Sequence, residues 1–167
     1  QKGGLLMRPT TKQKNVRIGF AAITVFVIGW ILSYSFTSDP EEEVKVERVI
    51  DGDTFIANID GVVETVRLIG MNAPELGSCY SSQSHDLLVR LVMRSDIWIS
   101  VGDDRRDPYG RLLAYVFHDD GTFVNLEMVR AGAAEAMPMK PNIEFASLIG
   151  EAHDEASIAK RGGWRTC

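Results

Sequence analysis

Hydrophobic and polar residues alternate in three short runs near the middle of the chain. The runs cover residues 44–50, 54–59 and 62–69, and such alternation is typical of strands with one buried face. Asp60-Gly61 separates the second run from the third, and an Asp-Gly pair between alternating runs is a strong hairpin signal. The pattern therefore predicts a three-stranded meander.

The remaining pattern predicts further strands and helices. Pro74 and two glycines mark a loop over 70–78, and Ser82 is expected to begin a helix that ends near Arg94. The later predicted elements are strands over 97–101 and 111–117, a polar irregular segment over 102–110, a short helix over 125–130, and a last helix over 143–161 capped by Asn142. Together they predict an α+β domain, a five-stranded OB-fold β-barrel with about three helices.

One long apolar segment precedes this domain. Residues 18–37 carry no charge, and residues 18–36 would form a helix about 28 Å long, close to the hydrocarbon thickness of a bilayer. Trp30, Tyr34 and Phe36 lie at its C-terminal end, as in an interfacial aromatic belt. We predict a single transmembrane helix over 18–37. The alternatives are a buried core helix and a cleaved secretory signal, whose apolar region should be shorter and end at a small-x-small site.

The charge is divided between the two sides of this segment. Residues 1–38 carry +5 and residues 39–167 carry −10, which together give the net charge of −5. The positive-inside rule places the N-terminus on the cytoplasmic or matrix side and the folded part in the periplasm, extracellular space or intermembrane space. The acidic balance disfavours binding of nucleic acid by bulk charge. The predicted organisation is a basic tail over 1–17, the transmembrane helix over 18–37, an acidic linker over 38–43, and a folded domain over 44–167.

The chain has two cysteines, Cys79 and Cys167. Two are too few for a four-thiolate zinc site or a disulfide-built miniprotein. On an oxidising side of a membrane they can form a disulfide, and two unpaired thiols are the alternative.

Candidate chemistry is concentrated in three short motifs, at residues 51–54, 67–75 and 107–111. Asp53, Asn72 and a backbone carbonyl offer the oxygen ligands that a hard cation such as Ca²⁺ prefers. Arg67 and Arg111 can bind phosphate oxygens and stabilise the charge that develops on them. Glu75 can accept a proton from an attacking water or orient it. Such a set is suited to phosphodiester hydrolysis.

In order and spacing, these motifs resemble those of the staphylococcal nuclease (thermonuclease) homologues. The shared pattern is D-G-D-T, then R-L-x-x-x-[DN]-x-P-E, then D-x-Y-G-R-x-L-A-Y, and the resemblance covers residues 44–164. It implies an OB-fold barrel and a Ca²⁺-dependent nuclease acting on single-stranded or flexible nucleic acid. For the metal, it implies that Asp53, Asn72 and the Ala73 carbonyl are ligands, with Asp51 as a neighbouring carboxylate.

For the substrate, the resemblance implies that Arg67 and Arg111 bind phosphate, that Glu75 is the general base, and that Tyr109 contacts a terminal phosphate. Three positions depart from the family pattern. Asn72 replaces an aspartate, which removes one negative charge and should weaken Ca²⁺ binding. Met137 and Met139 stand where the family presents tyrosines beside the nucleotide base, and Pro108 replaces a lysine.

Two functions remain open at this point. The first is a membrane-anchored Ca²⁺-dependent nuclease. The second is a nuclease-like domain without activity that serves as an accessory subunit of a membrane protein complex, for example a respiratory complex, in contact with the bilayer through residues 18–37.

The sequence also predicts one ion pair. Arg67 is expected to lie on an inward-facing strand position, where a charged residue needs a partner, and Glu75 is the expected partner.

Overall fold

The computed structural model describes residues 44–93 and 95–167. The predicted basic tail, transmembrane helix and acidic linker lie outside the described residues, as does Arg94 at the end of the first predicted helix. Within the described ranges, every helix is too short or too polar to span a bilayer.

Five strands close into a barrel in the order β1-β2-β3-β6-β5. The strands of the domain are β1 Val44–Val49, β2 Thr54–Ile59, β3 Val62–Leu68, β4 Met71–Asn72, β5 Ile97–Arg106, β6 Leu112–His118 and β7 Glu135–Ala136. The first three form the predicted antiparallel meander, β3 and β6 are parallel, and Val44 pairs with Ile97 to close the barrel. The OB-type barrel predicted from the pattern is therefore confirmed.

Within residues 44–93 and 95–167, four helices accompany the barrel: α1 Ser81–Val92, α2 Val124–Arg130, α3 Ala146–Ile158 and α4 Gly163–Thr166. The core lies where alternate strand residues face inward, and Phe55, Ala57 and Val66 are completely buried there. Leu88 and Val92 of α1 join the same core, which fixes the helix against the side of the barrel that carries the turn between β1 and β2.

Two predictions about the second half of the domain are wrong. Residues 102–106 are not irregular, because β5 continues through a register shift as far as Arg106, which pairs with Leu112. Asn142 does not cap a helix, and α3 begins only at Ala146 without a side-chain cap. Instead the Asn142 side chain accepts a hydrogen bond from Asp104 N and donates one to Asp104 O, each 3.0 Å long. It therefore binds the extension of β5 as a neighbouring strand would.

A small second sheet was not predicted. Its strands β4 and β7 are two residues long, and Met71 pairs with Ala136 while Asn72 pairs with Glu135. Strands this short contain too few positions for a periodic pattern to show. The pair matters because it holds the segment that carries Asn72 in place beside the barrel.

The two cysteines form a disulfide. Cys79 lies in the turn before α1 and Cys167 follows α4, and the bridge joins residues 88 apart in the sequence. The backbone of α4 is also attached to the turn after α2, because Gly163 N donates to Gly132 O. The last residues are thereby fixed next to the segment that carries Glu75.

Asn125 links three elements from a completely buried position. Its side chain accepts a hydrogen bond from Val116 N and donates to Ile69 O and Ala114 O.

The nearly isosteric Asn125→Leu is expected to lower the free energy of unfolding by about 3 kcal/mol, because it leaves buried backbone groups without partners. Urea denaturation measures this, and Asn58→Leu, which removes only an exposed hydrogen bond to Gly61 N, is the matched control. Equal losses in the two variants would contradict the prediction.

Candidate active site

The first motif forms a tight turn between β1 and β2. Asp51 Oδ1 accepts a hydrogen bond from Asp53 N at 3.0 Å, which is a typical Asx turn. A Cβ on Gly52 would lie 1.9 Å from Ser84 Oγ and 2.7 Å from Ala73 Cβ. Only glycine therefore lets this turn approach α1 and residue 73 so closely, and the approach brings Asp53 to the start of the second motif.

The Asp53 carboxylate lies at the centre of the site. Its Oδ1 accepts a hydrogen bond from Thr54 Oγ1, and its Oδ2 accepts one from Ala73 N, both 2.8 Å long. Arg67 Nη2 lies 3.1 Å from the same Oδ2. Burial raises the pKa of Asp53, Arg67 and the Ala73 amide lower it, Asp51 raises it again, and the net shift is upward.

Arg67 is held by backbone carbonyls as well as by the carboxylate. Its Nη1 donates to Leu68 O at 2.7 Å and to Met71 O at 3.0 Å, and its Nη2 donates to Asn72 Oδ1 at 3.1 Å. Burial lowers its pKa although Asp53 acts in the opposite direction, and an arginine remains charged under all ordinary conditions. The guanidinium is thus fixed in one orientation.

The expected pairing of Arg67 with Glu75 is wrong. The ion-pair partner of Arg67 in the described part of the chain is Asp53, and both side chains are nine-tenths buried. Glu75 is exposed, and its carbonyl accepts hydrogen bonds from the amide and hydroxyl of Ser78. The turn therefore fixes the backbone at Glu75, while its exposed side chain lines neither of the two cavities of the described residues.

Arg111 reaches the same region from the third motif. Asp107 Oδ1 accepts hydrogen bonds from Tyr109 N and Arg111 N, and its Oδ2 accepts one of 2.6 Å from Arg111 Nε. Arg111 Nη1 makes a long contact of 3.5 Å with Thr54 Oγ1, the hydroxyl that donates to Asp53. Burial raises the pKa of Asp107, but the hydrogen bonds from Arg111 and Tyr109 outweigh it and the net shift is downward.

A cavity of about 380 Å³ opens over these arginines. Its charged side chains include Arg67, Arg106, Arg111 and Lys140, with Asp104 and Asp107 beside them. Arg106 is paired with Glu64. Tyr109 is 85% exposed and its ring lies 5.5 Å from the Arg111 guanidinium. The remaining side chains relevant to ligand binding are Met137, Met139 and Asn142.

Three contributors to the site were not identified from the sequence. The Thr54 hydroxyl donates a hydrogen bond to Asp53 and accepts the long contact from Arg111 Nη1. Asp107 orients Arg111, and Lys140 adds a positive charge to the cavity. Asp107 and Thr54 belong to motifs that the sequence analysis singled out, so their positions were visible although their roles were not. The sequence indicated Lys140 only through its position directly after Met139, a residue that was already expected beside the nucleotide base.

The candidate metal ligands are all oxygen donors. Asp53 Oδ2 and Asn72 Oδ1 lie at the same distance, 3.1 Å, from one nitrogen of Arg67, so these two oxygens converge on a cationic group. Residues 44–93 and 95–167 contain no cluster of three or more His, Cys, Asp or Glu side chains suited to a metal. One carboxylate, an amide oxygen and a backbone carbonyl fit a hard cation such as Ca²⁺, and the small number of charges fits weak binding.

Comparison with known proteins agrees with this geometry. A family model described as "Staphylococcal nuclease homologue" matches residues 65–166. The chain is 28% identical to a thermonuclease of Staphylococcus hyicus and 30% identical to one of Staphylococcus intermedius, each over 90% of this chain and 98% of the relative. It is 34% identical to an uncharacterized endonuclease of Escherichia coli over 72% of this chain and 75% of that protein.

Proposed function

Because the chain belongs to the family of staphylococcal nuclease homologues, we propose that it is a membrane-anchored, Ca²⁺-dependent nuclease that hydrolyses phosphodiester bonds in flexible nucleic acid. The observation that carries the proposal is that two arginines, Arg67 and Arg111, line one cavity, with Arg67 paired to the buried Asp53 carboxylate. Anchoring depends on the uncharged residues 18–37.

In this proposal the candidate cation site binds Ca²⁺ beside the phosphate. Asp53, Asn72 and the Ala73 carbonyl would hold Ca²⁺, with Asp51 adding negative charge nearby. When bound, the ion supplies positive charge for a non-bridging phosphate oxygen. Asn72 contributes no charge, so we expect weaker Ca²⁺ binding than a site with a second carboxylate ligand would give.

The two arginines proposed to bind the phosphate are held by the protein in different ways. Arg67 has Nη1 fully engaged by two carbonyls, so its guanidinium keeps its orientation before and during the reaction. Arg111 is held through Nε by Asp107, makes only a long Nη1 contact with Thr54 Oγ1, and lines the cavity, so its Nη groups are the donors that we assign to phosphate oxygens. Donors that are already oriented stabilise the charge of a pentacovalent phosphate without reorganisation.

Glu75 is the proposed general base. It lies two residues after Ala73, whose amide donates a hydrogen bond to Asp53, and its side chain is exposed to water. Its nearness in sequence to the candidate metal ligands supports this role. A carboxylate in this position can take the proton from an attacking water, which then bonds to phosphorus as the leaving alkoxide departs.

The charge of the domain restricts the substrate. A rigid duplex lying across a domain of −10 would be repelled over much of its length, whereas a flexible strand can bring one phosphate to the arginines. Met137 and Met139 offer polarizable apolar surface for the adjacent base. We therefore propose single-stranded or otherwise flexible DNA or RNA as the substrate class.

Cleavage of single-stranded DNA by the purified full-length chain tests the proposal. We expect cleavage with Ca²⁺, none with chelator, and a kcat about 10²–10⁴-fold lower for Glu75→Gln because the general base is lost. Ca²⁺ binding, measured by titration calorimetry, should persist in that variant. Glu47→Gln, which alters an exposed carboxylate on β1, is the matched control and should cleave normally. The absence of Ca²⁺-dependent cleavage, or equal rates in both variants, would refute the proposal.

A further inference from the structure

A second cavity of about 440 Å³ lies on the other side of the small sheet. Met71 and Met137 line the first cavity. Their near neighbours Asn72 and Glu135 line the second. The paired strands β4 and β7 therefore lie between the two cavities. The volume of the second cavity is within the range of small-molecule sites, and the proposed hydrolytic step assigns no role to most of its lining.

The two cavities differ in chemistry. The first gathers arginine and lysine side chains, whereas among the described residues that line the second, Glu135 alone has a charged side chain. Tyr80 and Trp164 form aromatic walls of the second cavity, beside the small residues 132–134. A cavity without a cation is poorly suited to a phosphate, while aromatic faces are suited to stacking with a base of any identity.

The second cavity adjoins the candidate site. Asn72 and Ala73, two of the proposed Ca²⁺ ligands, also line it, and Pro74 follows them along the wall toward Glu75. A strand whose phosphate is bound by Arg67 and Arg111 in the basic cavity would therefore have the aromatic cavity on the side of Asn72 and Ala73.

We propose that the aromatic cavity binds the nucleoside on the far side of the scissile phosphate, with its base against Trp164 and Tyr80. This inference rests on the proposed nuclease function and deepens it. The protein would then bind at least two consecutive nucleosides, one in each cavity. Glu135, which lines the second cavity, could accept a hydrogen bond from a ring N–H or an exocyclic amino group of the second base.

Several contacts hold the walls of this cavity in place. The Trp164 ring packs edge-on against His153 at 5.1 Å, and His153 Nδ1 accepts a hydrogen bond from Ala136 N in β7. The Cys79–Cys167 bridge closes the cavity beyond Tyr80. The aromatic wall is thus connected to the same small sheet that positions Asn72, so a base bound there and a phosphate bound at the arginines have a fixed separation.

The test compares substrates with one nucleoside and with several. Full-length protein is given Ca²⁺ and either oligothymidylate or the 5′ and 3′ p-nitrophenyl phosphodiesters of thymidine, which carry a single nucleoside. Trp164→Ala is expected to lower kcat/KM for the oligonucleotide about 10-fold more than for the better ester, because stacking of one base is lost. Trp98→Ala is the matched control: that side chain has similar exposure but stacks on Phe117 outside both cavities, and it should leave the ratio unchanged.

The outcomes separate the two proposals. If the wild-type protein cleaves no substrate, the proposed function fails. If it cleaves both kinds and Trp164→Ala lowers both rates by the same factor, only the second nucleoside site is overturned.

A binding measurement keeps the inference testable if Trp164→Ala does not fold or the esters are not cleaved. In Glu75→Gln with Ca²⁺, oligothymidylate should quench tryptophan fluorescence more strongly than thymidine monophosphate does. The excess should disappear in Glu75→Gln/Trp164→Phe, which keeps an aromatic ring in the wall. Quenching that does not depend on Trp164 would overturn the inference.

Discussion

Replacing Arg67 with methionine is expected to lower kcat/KM for single-stranded DNA by about 10²–10³-fold, as loss of one preorganised donor does in other enzymes. The same change should lower the free energy of unfolding by about 3–5 kcal/mol. Both effects have one origin. The guanidinium that is proposed to bind phosphate is also the partner of the buried Asp53 carboxylate.

The destabilisation follows from what the substitution leaves behind. Asp53 keeps its hydrogen bonds from Thr54 and Ala73, but without Arg67 a buried carboxylate remains beside Asp51. The pKa of Asp53 should therefore rise further than in the wild type, since burial and Asp51 both favour the protonated form. Stability lost in the variant should be partly recovered at low pH, where Asp53 is protonated.

Two matched variants separate charge from geometry. Arg67→Lys keeps a positive charge but cannot reach two carbonyls and a carboxylate together, so it should recover more stability than activity. Arg130→Met removes an exposed arginine that is paired with Glu127 outside the site, and little change is expected in either measurement. Unfolding in urea and initial rates of cleavage give the two readouts. Wild-type activity in Arg67→Met would contradict the assignment of Arg67 to phosphate.

The second large effect is expected from the disulfide. The double variant Cys79→Ser/Cys167→Ser should lose about 4–5 kcal/mol of unfolding free energy, because the bridge restricts a long loop in the unfolded chain. Urea unfolding of the domain, followed by circular dichroism, measures the loss. A reducing agent should lower the stability of the wild type by a similar amount and leave the double variant unchanged, which controls for effects of the reagent itself.

The bridge should also affect activity, by a smaller factor. Cys79 lies four residues after Glu75, in an exposed turn held by hydrogen bonds between Glu75, Ser78 and Ser81. Without the bridge, the turn loses its covalent link to α4, so the position of the Glu75 carboxylate should vary more.

The stability prediction for the double variant can also fail. A loss of unfolding free energy below about 1 kcal/mol in Cys79→Ser/Cys167→Ser would show that the unfolded chain is already compact without the bridge.

The strands were predictable because one face of each is buried. Alternation set the bounds of β2 correctly and those of β1 and β3 to within one residue. The end of β5 was missed for the complementary reason: residues 103–106 are exposed, so burial imposes no pattern on them. Asn142 carries a local capping signal, but its side chain bonds to Asp104, 38 residues away, and no local signal reports a partner at that distance.

The site was predictable as a set of residues and less so as a set of contacts. Motif spacing grouped Asp53, Arg67 and Arg111, and in the structure Arg67 pairs with Asp53 and lines one cavity with Arg111. The pairing of Arg67 with Glu75 was inferred from nearness in sequence, whereas the strand register gives another answer. Thr54 lies opposite Arg67 across the β2–β3 hairpin, so Asp53 is the adjacent carboxylate. The aromatic cavity was not foreseen because its walls come from four separate segments of the chain.

The β2–β3 register has a consequence for how this protein tolerates insertions and deletions. The exposed turn at Asp60-Gly61 lies at the other end of the hairpin from Asp53, roughly 20 Å away at 3.3 Å per residue. A one-residue change of length there that shifted the register would turn Arg67 from the interior to the outer face. The length of this exposed turn is therefore constrained by the side chain at the far end of the hairpin, because only one register keeps Arg67 facing the interior.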